Sequence, residues 1–492
     1  MKFVINEVMQ SSGVKFGTSG ARGLADEMTD LVCYVYTKGF LQYLESVGEL
    51  SEPGTEVAIA GDFRPSTGRI MTAVARAAAD MGYTPLNCGR VPSPAVALYG
   101  ITHSCPAIMV TGSHIPADRN GIKFNKGSGE VLKSDEAGIV SQIVDLDEAL
   151  FSADGSFASA SVLPAEDKRA GEAYVKRYLN VFPADCLQGK KIGVYQHSAV
   201  GRELLVEIFK GLGADVVPLG WSDAFIPVDT EAIREEDVAL ARQWSAEYAF
   251  DAILSTDGDS DRPLISDENG EWLRGDVAGI LAATYLKADS VSTPVSCNTA
   301  LEKCGRFEDI RRTRIGSPFV IASMMEAAQA GRKGIVGYEA NGGFLTNSAF
   351  TVFGNELPAL PTRDAVLPVL SIILLSMNEG TSIGQLAAAL PQRFTLSDRI
   401  QDFPTAESAK ILERFKEVPA IEDVFGDAFG RVLSIDNTDG LRITFESEEV
   451  LHMRPSGNAP EFRCYNEAGS PGRVLEMQKL CMDILIKMKG EA

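Results

Sequence analysis

The sequence predicts an α/β protein made of three related α/β domains with mixed sheets and a smaller C-terminal α+β domain. Apolar strands at 57–60 and 192–195 are each followed by a helix whose apolar residues recur every three or four positions and which ends at a glycine. A third block joins a helix at 319–330 to a strand at 335–336. Strands that alternate with helices are typical of layered α/β domains.

The C-terminal part of the chain follows another pattern. Helices near 383–390 and 406–418 precede a strand at 441–445, and a further helix comes last. The apolar face of that last helix is formed by Met477, Cys481, Ile484 and Met488. This change of pattern predicts a separate α+β domain.

Domain boundaries are expected near residues 160, 268 and 382. They divide the chain into domains at 1–160, 161–268, 269–382 and 383–492. The stretch at 152–161 is rich in serine, alanine and glycine, and such a composition supports the first boundary.

The composition excludes several classes of function. The chain has 492 residues, with 46 Lys and Arg against 67 Asp and Glu, so its formal net charge is −21. This charge argues against nucleic acid or an anionic membrane as a partner. The longest apolar stretch, at 366–377, is too short to span a bilayer, and we recognise no signal peptide.

Cysteine and histidine usage points to a cytoplasmic protein without zinc. The eight cysteines are scattered without a CxxC pair, and the chain has only four histidines. We therefore expect reduced thiols and no zinc site. We also expect a monomer or a small homo-oligomer.

A serine stands just after an apolar strand at 107–110, in a predicted loop at 111–124. Ser113 would be held there at the carboxyl edge of a sheet, where ligands bind, with His114 and Lys123 as nearby sources of protons or positive charge. Taken alone, the segment is more typical of a serine that caps a helix. Only together with the other loops does it indicate a reactive serine.

Three carboxylates at alternate positions form the strongest single signal. Asp257, Asp259 and Asp261 follow a strand at 252–254, and Arg262 comes next. Carboxylates so close together need a cation to offset their repulsion, and all-oxygen ligands suit Mg²⁺. Arg262 is well suited to a substrate oxyanion. The loop therefore predicts a magnesium site that handles phosphate.

Three other interpretations of this acidic loop stay open. A calcium-binding loop would use Glu268 as its last ligand, but Arg262 stands where that loop needs glycine, and strands flank it instead of helices. A phosphatase of the haloacid dehalogenase type also begins Asp-x-Asp after a strand, but continues with Thr or Val where this chain has Asp261. The third interpretation is a solvated acidic turn.

Two further loops contain glycine and polar side chains. Glu339 and Asn341 would project to the same side of an extended segment, where a carboxylate and an amide can bind vicinal hydroxyls. Arg454, Ser456 and the backbone amides near Gly457 would form a phosphate cradle. Each of these loops, taken alone, is also typical of an ordinary turn.

Two basic segments near the N-terminus are additional candidates. They lie at 16–23, which contains Arg22, and at 62–66, which contains Arg64. A chain of negative net charge needs a locally basic pocket of this kind to bind an anionic substrate. We expect both segments to join the loops described above.

Together and in this order, the loops resemble those of the α-D-phosphohexomutase superfamily. The resemblance covers nearly the whole chain, with one signature loop in each predicted domain. Its segments here are 16–22 (Phe-Gly-Thr-x-Gly-x-Arg), 111–123 (Thr-x-Ser-His-Asn-Pro, then Asn-Gly-x-Lys), 257–262 (Asp-Gly-Asp-x-Asp-Arg), 339–342 (Gly-Glu-x-Ser-Gly, in part) and 454–460 (Arg-x-Ser-x-Thr-Glu-Pro, in part). Members of this superfamily have three related α/β domains and a smaller α+β domain, which agrees with the organisation read from the periodicity.

Several positions depart from the pattern of the superfamily. Ile115 stands where Asn is usual, Asn341 replaces the sugar-loop serine, and Asn458 with the residue after it replaces Thr-Glu in the phosphate loop. Asn341 bears on the choice of sugar, whereas Asn458 can still donate hydrogen bonds to phosphate. Arg363 and the acid after it resemble the Lys-Asp that follows the sugar loop of phosphoglucomutases. The combination looks most like phosphomannomutase-type members, with phosphoglucomutase or phosphoglucosamine mutase as the alternative.

The resemblance implies a reversible transfer of phosphate between O1 and O6 of a hexose, with conversion of mannose 6-phosphate to mannose 1-phosphate favoured. Ser113 would carry the phosphate, and Mg²⁺ would be held by a phosphoserine oxygen and by the three aspartates, Asp257, Asp259 and Asp261. The catalytic set would be completed by Lys123, His114 and Arg22. A hexose 1,6-bisphosphate would form as the intermediate and activator.

The resemblance also implies a set of substrate-binding residues. These are Arg262, Glu339, Asn341, Arg363, Arg454, Ser456, Gly457 and Asn458. Two functions from other classes remain as alternatives: a phosphohydrolase that uses the same acidic loop, and a calcium-binding protein without catalysis.

Overall fold

The computed structural model describes residues 2–17, 20–456 and 460–489. Four main sheets organise the chain, and each is accompanied by helices. The first three sheets are mixed and the fourth is antiparallel. The predicted fold class, three related α/β units followed by an α+β unit, is confirmed.

The first unit contains a seven-stranded mixed sheet and a separate pair of short strands. Its elements are β1 (Lys2–Val4), α1 (Ile5–Ser12), β2 (Lys15–Phe16), β3 (Gly20–Leu24), α2 (Asp30–Ser46), β4 (Glu56–Gly61), α3 (Thr67–Asp80), β5 (Thr84–Gly89), α4 (Ser93–His103), β6 (Ala107–Val110), β7 (Arg119–Lys126), β8 (Gly129–Glu130), α5 (Lys133–Val140), β9 (Ile143–Asp145) and a 3₁₀ turn (Glu148–Leu150). The sheet has the order β2-β3-β7-β6-β4-β5, with β8 beside β7, while β1 pairs with β9.

The second unit contains a four-stranded sheet in the order β11-β10-β12-β13. Its elements are α6 (Arg169–Leu179), β10 (Lys191–His197), α7 (Arg202–Gly211), β11 (Asp215–Trp221), α8 (Glu235–Tyr248), β12 (Ala252–Thr256) and β13 (Pro263–Ile265). The predicted strand at 192–195 and its helix thus appear as β10 and α7.

The third unit contains a five-stranded sheet in the order β15-β14-β16-β17-β20 and a small hairpin. Its elements are α9 (Gly275–Tyr285), β14 (Ser290–Pro294), α10 (Ala300–Lys303), β15 (Asp309–Thr313), α11 (Ser317–Gln329), β16 (Ile335–Tyr338), β17 (Phe344–Thr346), β18 (Phe350–Val352), β19 (Asn355–Leu357), β20 (Leu360–Asp364), α12 (Val366–Glu379) and α13 (Ile383–Ala388). Among the described residues, no helix, α12 included, is long and apolar enough to cross a membrane.

The fourth unit contains a five-stranded antiparallel sheet in the order β21-β25-β24-β23-β22. Its elements are β21 (Phe394–Ile400), α14 (Thr405–Arg414), α15 (Val418–Phe429), β22 (Val432–Asp436), β23 (Leu441–Phe445), β24 (Val450–Pro455), β25 (Phe462–Ala468) and α16 (Pro471–Met488). The phosphate loop of the sequence analysis falls at the hairpin between β24 and β25.

The first three units share one arrangement. In each, a central strand (β4, β10 or β14) pairs in parallel with two neighbours. The last of these three strands in the sequence (β6, β12 or β16) is followed by an antiparallel partner (β7, β13 or β17). The connection between the third parallel strand and its antiparallel partner lies at the carboxyl edge of the sheet. The serine loop, the acidic loop and the sugar loop all occupy this one position.

Helix α3 shows how the sequence forms these elements. Ile70, Val74 and Ala78 recur at helical spacing and are buried against the first sheet. Gly82 follows the helix in the left-handed conformation, with φ +86°, which only glycine adopts at little cost. The predicted helix and its stop are therefore confirmed.

The apolar cores separate the fourth unit from the first three. Side chains of β6, β10, β12 and β16 belong to one continuous core that runs through the first three units. The other face of the first sheet packs on α2 and α3 in a second core. The fourth unit has a core of its own, formed between its sheet and α14, α15 and α16. The first three units therefore form one packed body to which the fourth is attached.

One helix prediction in the C-terminal part was wrong in detail. The helix predicted at 406–418 ends at Arg414, and the next helix, α15, begins at Val418, where Pro419 lacks the amide hydrogen that a continuous helix would need. The predicted apolar face of α16 is confirmed, since Met477, Cys481 and Met488 are buried and Ile484 packs against the same core at its margin.

Helix α13 bears on the last predicted domain boundary. Ile383 and Leu390 are buried in the core of the first three units and not in the core of the fourth. We therefore propose that the fourth unit begins after Leu390, whereas the predicted boundary is 382. The boundaries near 160 and 268 stay predictions.

A buried carboxylate connects the second unit with the third. Asp364, at the end of β20, accepts a hydrogen bond of 2.5 Å from the Tyr174 hydroxyl and another from the Tyr178 hydroxyl, both on α6. Burial and the Asp364 carboxylate raise the pKa of both tyrosines well above the usual range, so both remain donors.

Replacing Tyr178 with phenylalanine should destabilise the protein, because Asp364 then loses a donor that water cannot replace. The expected loss is about 1–3 kcal/mol, visible as a lower melting temperature in thermal unfolding. The control is Tyr285→Phe, since the Tyr285 hydroxyl makes no hydrogen bond within the described residues. Equal melting temperatures for the two variants would show that this contact contributes nothing.

Candidate active site

The loops predicted to carry chemistry line one cleft of about 810 Å³. Residues from all four units face it. They include His114, Arg262, Glu339, Asn341, Arg363, Arg454 and Ser456. The shared position of the first three loops in their units explains why the folded chain brings them together.

Ser113 is completely buried and has an unusual backbone conformation. Its φ of +56° lies in the left-handed region, which is strained for a residue with a side chain. Its amide donates to the Thr111 hydroxyl at 2.7 Å, and its own hydroxyl donates to Asp257 Oδ2 at 2.5 Å. The serine of the first unit therefore touches the acidic loop of the second.

Arg64, from the second basic segment, holds the serine loop in this shape. Its guanidinium donates to four backbone carbonyls, those of Ser113 at 2.9 Å, Ile115 and Pro116 at 2.5 Å each, and Arg119 at 3.0 Å. Asp62 balances the buried charge through a bond of 3.0 Å to Nε. The segment at 62–66 was expected to join these loops, but no role was predicted for Arg64.

Asp257, Asp259 and Asp261 are buried together. Oxygens of the three carboxylates lie within 4.8 Å of one another. Oδ1 of Asp259 and Oδ1 of Asp261 have no hydrogen-bond partner among the described residues, although both atoms are buried. Buried, unpartnered carboxylate oxygens at this spacing fit a hard divalent cation such as Mg²⁺.

Lys123 belongs to a strand and not to the predicted loop at 111–124. It lies on β7 opposite Met109, and its ammonium donates to Asp259 Oδ2 at 2.5 Å and to Asp261 Oδ2 at 2.7 Å. The Asn-Gly pair before it is common in turns, but here both residues lie within β7. Gly121 is required within the strand instead, because a Cβ there would lie 2.8 Å from the Thr111 carbonyl oxygen.

The surroundings of the acidic loop shift the pKa values of Asp257 and Asp259 in opposite directions. Burial raises the pKa of Asp257 well above its usual range, and the charges of Asp259 and Asp261 raise it further. Burial acts in the same direction on Asp259, but the Lys123 ammonium and the Ser93 hydroxyl outweigh it and bring the pKa of Asp259 below its usual range. The protein therefore compensates the negative charge of Asp259 but not that of Asp257.

His114 is oriented by Arg262 and not by the reactive serine. Arg262 Nη1 donates to His114 Nδ1 at 2.8 Å, whereas the Ser113 hydroxyl lies 3.5 Å from the same nitrogen. Since arginine can only donate, Nδ1 is the acceptor and Nε2 carries the hydrogen. Burial and the Arg262 charge lower the pKa of His114 to about 3, so the ring is neutral. Nε2 faces Asp229 Oδ2 at 3.9 Å.

The sugar loop forms a tight turn and not an extended segment. The amide of Gly342 donates to the Glu339 carbonyl at 2.9 Å, and the amide of Gly343 donates to Asn341 Oδ1 at 3.0 Å. Glu339 is buried, and its Oε2 has no hydrogen-bond partner among the described residues. A glycine is needed at 342, where φ is +89°. Both Glu339 and Asn341 still line the cleft.

Several arginines surround these carboxylates. Arg363, near the end of β20, forms ion pairs with Asp261 Oδ2 at 3.1 Å and with Glu339 Oε2 at 3.7 Å. Arg22 lies on β3, and its pKa falls to about 10 because it is buried and because Arg262 and other guanidiniums are close. The floor of the cleft is therefore rich in positive charge despite the acidic composition of the chain.

The phosphate loop of the fourth unit is only partly described. Arg454, near the end of β24, forms an ion pair with Asp439, with 2.9 Å between Nε and Oδ2, and the Ser456 amide donates to the Glu461 carbonyl at 2.8 Å. The predicted contacts of Gly457 and Asn458 lie outside the described residues. Arg454 and Ser456 both line the cleft, and their contact with phosphate stays a prediction.

Sequence reasoning missed several residues of the site. Ser93 donates to Asp259 Oδ2 at 2.5 Å, and Asp439 fixes Arg454. Arg399 and Arg463, which carry no motif, add positive charge to the cleft wall near Arg454. Ser93 and Arg64 each follow a parallel strand at its carboxyl end, so the rule that located the other loops could have found them.

Models of known protein families match two parts of the chain. Residues 13–150 match the phosphoglucomutase/phosphomannomutase alpha/beta/alpha domain I, and residues 274–394 match domain III of the same family. The solved structures that resemble the chain support the fold. A phosphoglucomutase/phosphomannomutase family protein from Burkholderia thailandensis superposes with a TM-score of 0.72 at 19% identity, covering 96% of this chain and 97% of the other.

A more distant structure resembles the chain as well. It is the N-acetylphosphoglucosamine mutase of Aspergillus fumigatus in complex with GlcNAc-6P and magnesium. It superposes with a TM-score of 0.55 at 13% identity, covering 99% of both chains.

Curated relatives extend over nearly the full length of the chain. The phosphomannomutase of Sinorhizobium fredii (strain NBRC 101917 / NGR234) is 43% identical over 459 residues, which cover 93% of this chain and 96% of the relative. That of Salmonella muenchen is 43% identical over 473 residues, covering 96% and 95%. The chain therefore belongs to the phosphoglucomutase/phosphomannomutase family.

Proposed function

We propose that the protein is a phosphomannomutase, which transfers phosphate reversibly between O1 and O6 of mannose. One observation carries the proposal: a buried serine touches a buried acidic triad at one side of a cleft whose opposite wall is rich in arginine. A hexose would fit between a phosphoryl group on the serine and a second phosphate at the far wall. This arrangement supports transfer at one end of a sugar while the other end is held.

Ser113 carries the transferred phosphoryl group in this proposal. When the phosphoserine reacts, the bond from Ser113 Oγ to phosphorus breaks and a bond from a sugar hydroxyl oxygen to the same phosphorus forms. The hexose 1,6-bisphosphate so produced turns end for end and returns its other phosphate to Ser113. The strained, fixed backbone of the loop supports this role, because transfer of this kind depends on positioning.

Asp257, Asp259 and Asp261 would hold Mg²⁺ together with an oxygen of the phosphoserine. When bound, the cation supplies positive charge that offsets the negative charge of the phosphoryl group during transfer. The unpartnered oxygens of Asp259 and Asp261 support this assignment. The chain itself contributes further positive charge from Arg262 and Arg22.

Proton transfer is assigned to Lys123. The hydroxyl that attacks phosphorus must lose its proton, and the departing Ser113 oxygen must gain one. Lys123 lies against the triad and carries an exchangeable proton. His114 is less suited, because its acceptor nitrogen is occupied by Arg262. Its role in the proposal is to orient Arg262 toward the phosphoryl group.

The sugar and its second phosphate are assigned to the other two loops. Glu339 and Asn341 would bind O3 and O4, which lie similarly in both orientations of the sugar, with Arg363 beside them. Arg454, Ser456, Gly457 and Asn458 would hold the phosphate that is not being transferred, and Arg399 and Arg463 would add charge there. The fourth unit has its own core, which supports movement of this wall when substrate enters or leaves.

Mannose is proposed as the sugar because relatives that are 43% identical are phosphomannomutases, while a phosphoglucosamine mutase is only 28% identical. The alternatives within the family are phosphoglucomutase and phosphoglucosamine mutase. Coupled assays on mannose 1-phosphate, glucose 1-phosphate and glucosamine 1-phosphate distinguish them. The highest kcat/KM on one of the other two sugars would replace mannose in the proposal. Steady phosphate release, or Ca²⁺ binding without turnover, would instead favour the two other classes.

Replacing Ser113 with alanine should abolish mutase turnover, because no oxygen is left to carry the phosphoryl group. After incubation with hexose 1,6-bisphosphate, the intact mass should increase by one phosphoryl group in the wild type and not in the variant. Ser296→Ala, which changes another serine of the cleft, should keep both properties. Substantial turnover by Ser113→Ala would exclude Ser113 as the carrier.

Removal of the divalent cation should stop turnover, and Mg²⁺ added back should restore it. Asp259→Asn should weaken Mg²⁺ binding in equilibrium dialysis and lower kcat by at least about a hundredfold, because the lost charge faces the cation directly. Asp185→Asn, an exposed position on the second unit, should bind Mg²⁺ like the wild type. Full activity in excess chelator would contradict the metal role.

Replacing Arg454 with alanine should raise the KM for hexose monophosphates by about ten- to a hundredfold, since a charge-assisted contact to phosphate contributes roughly 1.5–3 kcal/mol. Slow hydrolysis of the phosphoserine by water should stay the same, because water brings no second phosphate. Arg431→Ala, an exposed arginine of the same unit, is the control. Equal losses in both measurements would mean that Arg454 supports the fold or the chemistry instead.

A further inference from the structure

The segment at 222–234 lies between β11 and α8. It makes contact at the serine loop, the acidic loop and the sugar loop. It follows a parallel strand of the second unit at the carboxyl edge, like the functional loops, but it contains no family motif that the sequence analysis recognised. Aromatic, polar and acidic side chains along the segment contact the loops one after another.

Phe225 fixes the first half of the segment. Its ring lies 4.1 Å from the Arg64 guanidinium, the group that shapes the serine loop, and a Cβ at Gly258 would lie 3.3 Å from the same ring. The Ile226 amide donates to the Ser198 hydroxyl at 2.7 Å. These contacts anchor the segment to both the serine loop and the acidic loop.

The second half of the segment reaches His114 and the sugar loop. Asp229 faces His114 Nε2 at 3.9 Å, and the buried Thr230 donates its hydroxyl to the Asn341 carbonyl at 2.6 Å. The Glu231 amide donates to Asp229 Oδ1 at 2.9 Å, which fixes the turn between them. The residue after Thr230 is therefore held at a defined place beside the sugar loop.

Glu231 lines the cleft together with Glu339 and Asn341. Its side chain stays accessible from the cleft, and its carboxylate makes no hydrogen bond or ion pair among the described residues. It also lines a small hollow that adjoins the cleft beside Arg274 and Tyr465. A carboxylate so placed is available to a ligand.

The proposed sugar contacts leave one requirement unmet. Mannose and glucose differ only in the configuration at C2, so binding of O3 and O4 by Glu339 and Asn341 cannot distinguish them. Selectivity needs a further polar group that faces the sugar from another direction. Glu231 is held on a different unit from the sugar loop but opens into the same part of the cleft.

We propose that the segment at 222–234 is a fifth functional loop, and that Glu231 is its substrate-contacting residue, which accepts a hydrogen bond from the C2 hydroxyl of the hexose and so selects the sugar. This inference rests on the proposed mutase function. Phe225 and Thr230 are positioning residues in this proposal. They hold Glu231 at a fixed place relative to the serine loop and the sugar loop.

The test compares Glu231→Gln and Glu231→Ala with the wild type on mannose 1-phosphate and glucose 1-phosphate. We expect kcat/KM for mannose 1-phosphate to fall about tenfold or more, the size of one lost hydrogen bond to a charged group, and the mannose-to-glucose ratio to change by about the same factor. Hydrolysis of the phosphoserine by water should not change, because it involves no sugar. Glu235→Gln, on exposed α8 outside the cleft, should match the wild type.

The outcomes separate this inference from the function on which it rests. If the wild type converts hexose phosphates and both Glu231 variants keep its mannose-to-glucose ratio, the inference is wrong and the mutase function stands. If the wild type converts none of the hexose phosphates, both fail. Melting temperatures of the variants check that they are folded, and an altered sugar ratio with an unchanged melting temperature supports Glu231 as the specificity residue.

Discussion

One buried guanidinium, that of Arg64, determines the geometry on which the site depends. A short loop whose carbonyls point inward would leave those oxygens without partners, and Arg64 satisfies four of them at once. Asp62 offsets its charge where water cannot. Held in this way, Ser113 keeps a left-handed conformation that its side chain disfavours and points its hydroxyl at Asp257. The serine is thus placed before any substrate arrives.

The site is built by repeating one structural position. In each of the first three units a turn joins the third parallel strand to an antiparallel strand, and the turn carries Ser113, the acidic triad or Glu339. Two of the cations lie on strands next to these turns. Lys123 lies on β7, which runs back from the serine turn, and Arg363 lies near the end of β20, which runs toward the same edge as β16. Carboxylates and cations that are far apart in the sequence therefore meet at the carboxyl edge of the sheets, because the chain reverses direction there.

Local sequence was enough for the parts of this arrangement that are local. Strands, helix stops and the polar turns after strands follow from periodicity and glycine placement, and they led to Ser113 and the acidic triad. The role of Arg64 could not be read in this way, because its partners lie 49 to 55 residues further along the chain. The strand that carries Lys123 was hidden by Gly121, which is needed for close packing but is typical of turns.

The contacts between the third and fourth units differ in kind from those among the first three. Asp439 accepts a hydrogen bond from the Ile315 amide of the third unit at 3.0 Å and forms an ion pair of 2.9 Å with Arg454 of its own unit. A second contact lies between Glu467 of the fourth unit and the Thr299 amide, at 3.2 Å. Both are polar, whereas the first three units are joined by a continuous apolar core. In the proposed function, the fourth unit would move relative to the serine and the triad when substrate enters or leaves. Arg454 belongs to that unit, so its distance from Ser113 would be set by the closure of the cleft.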